Sequence, residues 1–186
     1  MPQRIQTLAF SGLRPHKLPW GYNEDHKDCL SMKSFIRARL VGLIEDENVC
    51  YFISGMALGI DQICADIVLG LKEFYPKIQL EAAIPCKDQI RYWPRQCRER
   101  YSAILERCDS INLVCKEYSA DSFERRNRYM IGKCDILLAV WNGRPGGTGN
   151  TISYAKAADK RIIIINPLEP SESDGFLTYE YDPVNQ

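Results

Sequence analysis

The chain lacks several features that would mark a protein's location or its partner. Its 186 residues contain no run of about 18 apolar residues, and the N-terminus has no basic segment followed by an apolar one. These absences argue against a membrane span and a signal peptide, so we expect a cytoplasmic protein with no membrane partner. The 24 basic residues are balanced by 24 acidic ones. A protein that binds nucleic acid nonspecifically would need an excess of basic residues. Nucleic acid is therefore an alternative partner but not the favoured one.

Histidine is scarce, and cysteine follows no metal-binding pattern. The two histidines, His16 and His26, stand near no nucleophile or metal-ligating group in the sequence. The eight cysteines include no Cys-x-x-Cys pair, and most of them lie inside apolar runs. We therefore expect buried free thiols rather than a zinc site or a disulfide framework, with no metal and no required cofactor.

Apolar runs alternate with amphipathic segments along most of the chain. Six strands are predicted, at Ile5–Phe10, Val49–Ile53, Ile78–Ile84, Ser110–Val114, Ile136–Val140 and Arg161–Ile165. Five helices are predicted, at Asp28–Glu45, Ile60–Phe74, Pro94–Arg107, Ser122–Lys133 and Thr151–Asp159. Such alternation builds βαβ units around a parallel sheet. The expected fold class is α/β, a single-domain Rossmann-like three-layer sandwich whose mainly parallel sheet has six or seven strands.

The domain is predicted to occupy residues 1–167, followed by an acidic C-terminal tail over residues 168–186. From Pro167 to the end, the chain holds five acidic residues and neither Lys nor Arg. Such a composition is typical of a mobile appendage. The alternative is a tail that docks on the body through its larger side chains, Phe176, Leu177, Tyr179 and Tyr181.

The glycine loop, residues 141–151, follows a predicted strand and precedes a helix. Glycines let the main chain approach an anion closely, and the N–H groups and dipole of a helix N-terminus favour negative charge. We expect phosphate to be held by the main chain of Gly146–Gly149 and by the hydroxyls of Thr148 and Thr151, with Asn150 nearby. Trp141 is either a platform for a base or a core residue.

A second loop of this kind, Ser54–Asp61, follows the second strand. Ser54, Gly55 and Gly59 are expected to form a turn beside the ligand, and Asp61 to bind a ribose hydroxyl. The alternative is a tight turn with a capping aspartate. After the first strand, Ser11, Gly12 and Arg14 are expected to line the same wall. The segment that follows, Arg14–Asp25, is a candidate lid over the pocket.

Arginines precede the fifth strand and also cluster before and within the third helix. Arg126 is the expected phosphate clamp, because a guanidinium binds phosphate bidentately, while Asn127 caps or braces a neighbouring loop. Arg125 and Arg128 are expected to be solvated or paired with acids. The stretch Lys87–Arg107 mixes arginines with Tyr92, Trp93 and Tyr101, which fits single-strand binding. The favoured interpretation is an ordinary helix face with an aromatic wall of the nucleotide pocket.

Several of these segments resemble known families. Ser54–Asp61 is similar to the Ser-Gly-x-Ala-x-Gly-Ile-Asp signature of the DNA-processing protein DprA, and Phe123–Arg128 resembles that family's Arg-Asn-Arg segment. The glycine loop and the spacing of Arg126, Met130 and Asp135 resemble the LOG phosphoribohydrolases. Both families belong to the SLOG superfamily of Rossmann-like nucleotide-binding domains.

The order of motifs over about residues 4–167 most resembles the YpsA-type branch of that superfamily. The motifs are Gly-Leu-Arg-Pro at residues 12–15, the Ser-Gly loop, Pro85-Cys86 with Gln89 and Trp93, and the Gly-Gly-Thr loop leading into Tyr154-Ala155. The resemblance implies a nucleotide, NAD-derived or ADP-ribose-like ligand. It also implies a homodimer or higher homo-oligomer.

The expected function is binding or sensing of a phosphate-bearing nucleoside. The alternatives are a LOG-type hydrolase of the N-glycosidic bond and a DprA-like binder of single-stranded DNA. The LOG loop carries a glutamate that this chain lacks, since no acid follows Thr148 before Asp159. A carboxylate is the natural group to stabilise the oxocarbenium-like centre. Asp61 or Glu124 would have to replace it, and no catalytic residue is assigned.

Overall fold

The structure, a computed structural model, describes residues 4–171 and 175–184. Its strands are β1 (Gln6–Gly12), β2 (Val49–Ser54), β3 (Gln79–Ile84), β4 (Ser110–Leu113), β5 (Ile136–Val140), β6 (Arg161–Ser171) and β7 (Gly175–Tyr181). Its helices are α1 (Lys27–Glu47), α2 (Ile60–Leu71), α3 (Arg95–Arg107), α4 (Ser122–Lys133) and α5 (Gly147–Ala157). Short 3₁₀ turns at Pro15–Lys17 and Lys87–Ile90 complete the pattern.

The seven strands form one sheet in the order β4-β3-β2-β1-β5-β6-β7. Every neighbouring pair is parallel except β6 and β7. Two apolar clusters cover the two faces. The larger one includes α1, α2 and α3, and the smaller one includes α4 and α5. The predicted three-layer α/β fold is confirmed.

The β1 strand lies at the centre of the sheet order, between the parallel strands β2 and β5, and both its faces are covered. Leu8 and Phe10 point into the larger cluster, whereas Ala9 between them belongs to the smaller one. Phe10 stacks on Phe52 of β2 with ring centroids 5.9 Å apart. A continuous apolar run is what a strand buried on both sides requires.

The C-terminal segment differs most from the prediction. The β6 strand continues through Ser171, so the predicted boundary at residue 167 falls inside it. Residues 175–181 form β7, which pairs antiparallel with β6 from Ile162 onward. Phe176 is buried and packs edge-on against Phe35 of α1 at 5.7 Å. Of the four side chains named for docking, Phe176 is buried and Tyr181 packs against the smaller cluster, whereas Leu177 and Tyr179 are exposed. Residues 172–174, 185 and 186 of the predicted tail lie outside the described residues.

Helix α5 was predicted to begin at Thr151, and this start is wrong by four residues. The helix begins at Gly147, and the amide of Asn150 donates to the Gly146 carbonyl at 2.9 Å. Glycine, threonine and asparagine are weak helix formers, so propensity alone placed the start too late. In the part of the chain that the structure describes, no helix is both long and apolar enough to cross a membrane.

Candidate functional site

The site follows from the strand order. Leaving β1, the chain reaches β2 on one side, whereas β5 lies on the other. Loops after β1 and β5 therefore diverge and leave a crevice beyond the carboxyl ends of these strands, where open α/β sheets bind their ligands. The residues lining this crevice are Phe10–Arg14, Lys17, Ala57, Asp61, Phe123, Arg126, Asn127, Trp141, Asn142 and Arg144–Thr148.

The N-terminus of α5 faces this crevice. Gly146, the N-cap residue, has φ of 151°, a conformation that side chains rarely permit. Gly147 and Thr148 line the crevice in the first turn, whose amides have no carbonyl partner within the helix. The helix end therefore offers hydrogen-bond donors and a partial positive charge to an anion.

Four cationic side chains line the crevice: Arg14, Lys17, Arg126 and Arg144. Among the described lining residues, Asp61 is the one acid. A crevice lined by four cations and one acid attracts negatively charged groups, and the N-terminus of α5 adds to this attraction. Lys17 approaches the glycine loop closely, since its Nζ lies 3.2 Å from the position that a Cβ on Gly146 would take.

The second loop, Ser54–Asp61, holds the Arg126 side chain in place. The arginine is 4% exposed; its Nη1 donates to the Gly55 carbonyl, and its Nε donates to Asn127 Oδ1 at 2.8 Å. Asn127 thus braces Arg126 itself. Burial lowers the pKa of Arg126, whereas the nearby Asp61 carboxyl raises it. Two of the guanidinium's nitrogens are engaged inside the protein, so Arg126 is a fixed charge with limited capacity for direct phosphate contact.

Asp61 is 5% exposed in the first turn of α2. Burial raises the pKa of its carboxyl above the usual value, and Arg126, Arg14 and amide donors from residues 57 and 12 oppose that rise. The amide of Ala57 donates to Asp61 Oδ2 at 3.3 Å. The carboxyl lies at the crevice, where it can accept a hydrogen bond from a ligand hydroxyl.

Three residues of the turn expected beside the ligand, Ser54, Gly55 and Gly59, are not among the residues that line the crevice. The Ser54 hydroxyl donates to the Asp61 carbonyl at 2.8 Å and accepts from the Met56 amide at 3.1 Å. A Cβ on Gly55 would overlap the Arg126 guanidinium. Gly59 has φ of 94°, and a Cβ there would lie 2.6 Å from the Leu13 carbonyl oxygen. These three residues shape the turn that positions Asp61 and Arg126.

Only some residues of the glycine loop line the crevice. Gly146, Gly147 and Thr148 line the crevice, while Gly149, Asn150 and Thr151 are absent from its described lining. The Thr151 hydroxyl donates to the Gly147 carbonyl at 2.9 Å, and the side chain is 1% exposed. It therefore stabilises the first turn of α5 rather than offering a donor to phosphate.

Trp141 lies between the crevice and the core, and its role as a platform for a base stays a prediction. It lines the crevice and also packs against the two core clusters. Its indole N–H donates to the Arg144 carbonyl at 2.8 Å, and its ring lies close to Gly149. Trp141 thus holds the glycine loop in place and leaves part of its ring at the crevice.

Ser11, Gly12 and Arg14 line the crevice as expected, because β1 ends there. Lys17, Phe123 and Arg144 line it too and were not predicted. Arg144 had a signal in the sequence, since it lies within the glycine loop. Lys17 lies in the candidate lid segment and Phe123 begins the DprA-like segment, but neither residue was singled out, because their placement depends on the path of the chain after β1 and before α4.

Other candidates lie elsewhere. Glu124 pairs with Arg128 at 2.9 Å on the outside of α4 and is not among the crevice residues, so Asp61 alone remains as a substitute carboxylate. Trp93 and Tyr101 pack edge-to-face at 5.6 Å against the larger cluster. The expected aromatic wall is therefore wrong for this crevice. The eight cysteines are free thiols, and the described residues contain no metal-binding group of His, Cys, Asp and Glu.

Residues 8–166 match a family model named YpsA and described as the YspA SLOG family. The chain belongs to this SLOG family. The resemblance predicted from the order of motifs is thereby confirmed. Curated relatives include UPF0398 proteins of Bacillus thuringiensis (strain Al Hakam) and Bacillus cereus (strain Q1), each 29% identical over 155 residues. The match covers 82% of this chain and 83% of each relative.

Two solved structures share the fold of this SLOG chain. DprA from Streptococcus pneumoniae is 20% identical with a TM-score of 0.58, and the match covers 92% of this chain. DprA from Helicobacter pylori, described for its single-stranded DNA binding mode, is 18% identical with a TM-score of 0.57 over 97% of this chain. The chain spans 53% of the first structure's length and 70% of the second's. At these identities the likeness concerns the fold alone.

Proposed function

We propose that this SLOG protein binds a phosphate-bearing nucleoside in the crevice between β1 and β5. The observation that carries the proposal is the meeting of the α5 N-terminus with four cationic side chains at the switch point of the sheet. Phosphate lies against Gly147 and Thr148, with Lys17 and Arg144 exposed at the mouth. Asp61 accepts from a ribose hydroxyl.

The crevice would enclose only part of such a ligand. Its volume is about 160 Å³, below the roughly 300–1,000 Å³ of a complete small-molecule site. The phosphate and the adjoining sugar therefore enter, while the base stays near the rim by Phe123 and Trp141. NAD and ADP-ribose fit this proposal as well as a nucleoside monophosphate, because all of them carry phosphate beside a ribose.

A thermal-shift series tests the binding. AMP, NAD, ADP-ribose and cyclic nucleotides are each added to the wild type, and a ligand at one hundred times its Kd should stabilise the fold by about 2.7 kcal/mol. Arg144→Met should reduce this shift, because it removes a cation from the crevice mouth. Arg98→Met is the matched control, since Arg98 is an exposed arginine of α3 outside the crevice lining. Equal losses in both variants, or no shift with any nucleotide, would contradict the proposal.

Cleavage of the glycosidic bond is a second candidate that rests on Asp61. Its carboxyl lies at the proposed ribose position, where a carboxylate stabilises an oxocarbenium-like centre. Chromatography of the binding mixtures would reveal free base. If base is released, Asp61→Asn should stop the release; if none appears over hours, the protein binds without cleaving.

A further inference from the structure

The segment between β1 and α1 reaches the crevice at one end only. Arg14 and Lys17 line the crevice, whereas Leu18 and residues 20–25 line a second cavity, of about 360 Å³, beside α2 and α3. The expectation that Arg14–Asp25 forms a lid over the nucleotide pocket is therefore wrong for most of this segment. Its outer part, the loop over residues 18–26, bridges a hollow instead, so packing against the body fixes it only in part.

Lys17 depends on the main chain of this segment for its position. Its side chain is exposed, and its Nζ lies 3.2 Å from the position that a Cβ on Gly146 would take. Among the described residues, no carboxylate forms an ion pair with it. The ammonium therefore lies at the glycine loop because the backbone of the Pro15–Lys17 turn places it there, and not because a partner side chain holds it.

This turn is anchored on both sides. On one side, Gly59 packs against Leu13 and Pro15 without room for a Cβ. On the other side, Leu18 and Trp20 are buried, and successive turns continue to α1. In these turns the amides of residues 18, 21, 23 and 26 donate to the carbonyls of residues 15, 18, 20 and 23 at 3.0–3.2 Å. A displacement at the far end of the loop is therefore transmitted along hydrogen-bonded turns towards the crevice.

The far end of the loop is fixed by ion pairs among Glu24, Lys33, Asp66 and Arg100, which we refer to as the Glu24 clasp. Lys33 of α1 pairs with the Glu24 carboxylate at 2.8 Å and donates to the Glu24 carbonyl at 3.5 Å. Arg100 of α3 pairs with the same carboxylate, and its Nε and Nη2 donate to Asp66 of α2 at 3.1 and 2.6 Å. One loop carboxylate is thus linked to three helices.

The clasp favours the ionised carboxylate. Burial would raise the pKa of Glu24, but hydrogen bonds from Arg100 and Lys33 outweigh it, so the pKa is lowered. The neighbouring side chains at positions 22, 23 and 25 are exposed. Glu24 is therefore the side chain through which this end of the loop is held to the body.

We propose that Glu24 is a positioning residue for the crevice, which keeps Lys17 beside the N-terminus of α5 by fixing the far end of the loop. Arg100 and Lys33 are the partners through which it acts. This inference rests on the proposed function, since Lys17 is one of the cations placed there at the phosphate.

Hydrogen exchange on the free protein tests the coupling within the loop. Glu24→Gln keeps the size of the side chain and removes its charge. It should speed exchange of the Lys17 and Leu18 amides at least about twofold, because local opening becomes easier when a tertiary contact is lost. Glu99→Gln is the matched control, since Glu99 pairs with Arg95 at 2.7 Å on the surface of α3 and lies outside the loop. It should leave both amides unchanged.

The sign of the effect on binding distinguishes positioning from simple electrostatics. Glu24→Gln and Glu99→Gln each make the net charge more positive, which by itself favours an anionic ligand. Titration calorimetry with AMP and ADP-ribose should nevertheless show at least about a twofold weaker affinity for Glu24→Gln, the lower end of the coupling between residues of one network. Glu99→Gln should bind as tightly as the wild type or slightly more tightly.

A double-mutant cycle shows whether the effect passes through Lys17. In the Lys17→Met background, Glu24→Gln should cause no further loss of affinity. The inference is overturned if the Lys17 and Leu18 amides exchange as in the wild type, if Glu24→Gln binds both nucleotides as tightly as the wild type, or if the two losses add. A wild type that binds neither nucleotide contradicts the proposed function instead, and amide exchange alone then decides whether the clasp orders Lys17.

Discussion

At the scale of single residues, Arg126 shows how the site is assembled from buried charge. Its guanidinium links the Gly55 carbonyl, the Asn127 side chain and the neighbourhood of Asp61. Burying a cation is costly unless its donors are satisfied and an opposite charge lies near. Two of its nitrogens have acceptors and the Asp61 carboxyl lies near, so this residue connects the second loop to α4 and fixes the crevice floor.

Replacing Arg126 by Met should destabilise the fold by about 1–3 kcal/mol, the cost of leaving buried acceptors at Gly55 and Asn127 without their donor. The loss also removes the charge that most favours the ionised form of Asp61. Urea denaturation measures the change. Arg125→Met is the control, because Arg125 is exposed on the same helix and should change stability by no more than about 0.5 kcal/mol. Similar losses in both variants would show that Arg126 is not a buried structural charge.

Glu81 illustrates a satisfied buried carboxylate away from the crevice. It is 1% exposed and accepts from Tyr51 at 2.7 Å, Tyr129 at 2.5 Å and Lys133 at 2.8 Å. Burial alone would raise the pKa of Glu81, but hydrogen bonds from Lys133 and the two tyrosines outweigh it, so the pKa is lowered. The ionised form is therefore favoured in the folded state.

This lowered pKa gives a pH prediction. Because the folded pKa lies below the unfolded value of about 4.3, the stabilisation is present above that pH and is lost as pH falls through the folded pKa. Glu81→Gln should cost about 1.5–3 kcal/mol at pH 7, and the difference from wild type should shrink towards pH 3. Denaturation curves across this range provide the measurement. The exposed Glu106→Gln should stay near wild type at both ends, and a pH-independent cost for Glu81→Gln would exclude this explanation.

At the scale of elements, some helices and strands can be predicted from local sequence, whereas others form only through tertiary pairing. Helix α4 and strand β5 were predicted with their observed bounds, because each is a periodic or continuous apolar pattern with clear ends. Strand β7 was not predicted. Its segment mixes acidic and aromatic residues and becomes a strand through pairing with β6, where Ile163 lies opposite Glu180. Such pairing is a property of the folded sheet and is only weakly visible in local propensity.

The candidate site, too, could be predicted only in part from the sequence. The rule that ligands meet the carboxyl ends of parallel strands placed the loops after β1, β2 and β5 together, and Asp61 and Gly147 do line one crevice. The rule could not tell which loop residues face inward. The hydroxyls of Ser54 and Thr151 instead donate hydrogen bonds to backbone carbonyls, because both residues lie at turns with acceptors within reach.

The turn before α2 gives a prediction at this scale. Gly59→Ala should destabilise by about 1–3 kcal/mol, since φ of 94° is unfavourable for alanine and its Cβ would meet the Leu13 carbonyl. Gly42→Ala is the matched control, in the middle of α1 where the added Cβ meets only ordinary contacts. It should stabilise by up to about 1 kcal/mol. Thermal denaturation distinguishes them, and a neutral effect at Gly59 would contradict the strained turn.

At the scale of the whole molecule, charge is distributed unevenly. The formal net charge is zero, yet the crevice gathers four cations around one acid. A neutral protein with a local positive site attracts small anions at short range and has little long-range pull on a polyanion. This distribution favours a nucleotide over nonspecific binding to long nucleic acid.

The uneven distribution predicts how nucleotide binding responds to salt. The Debye length falls from about 10 Å at 0.1 M salt to about 3 Å at 1 M, so the contributions of exposed Lys17 and Arg144 should be screened across this range. Titration calorimetry of AMP or ADP-ribose in rising NaCl should therefore show weakening for the wild type. The Lys17→Met/Arg144→Met variant should bind more weakly at low salt but respond much less to added salt. If both proteins respond alike, the screened charges lie outside the crevice, and the proposed phosphate position is wrong.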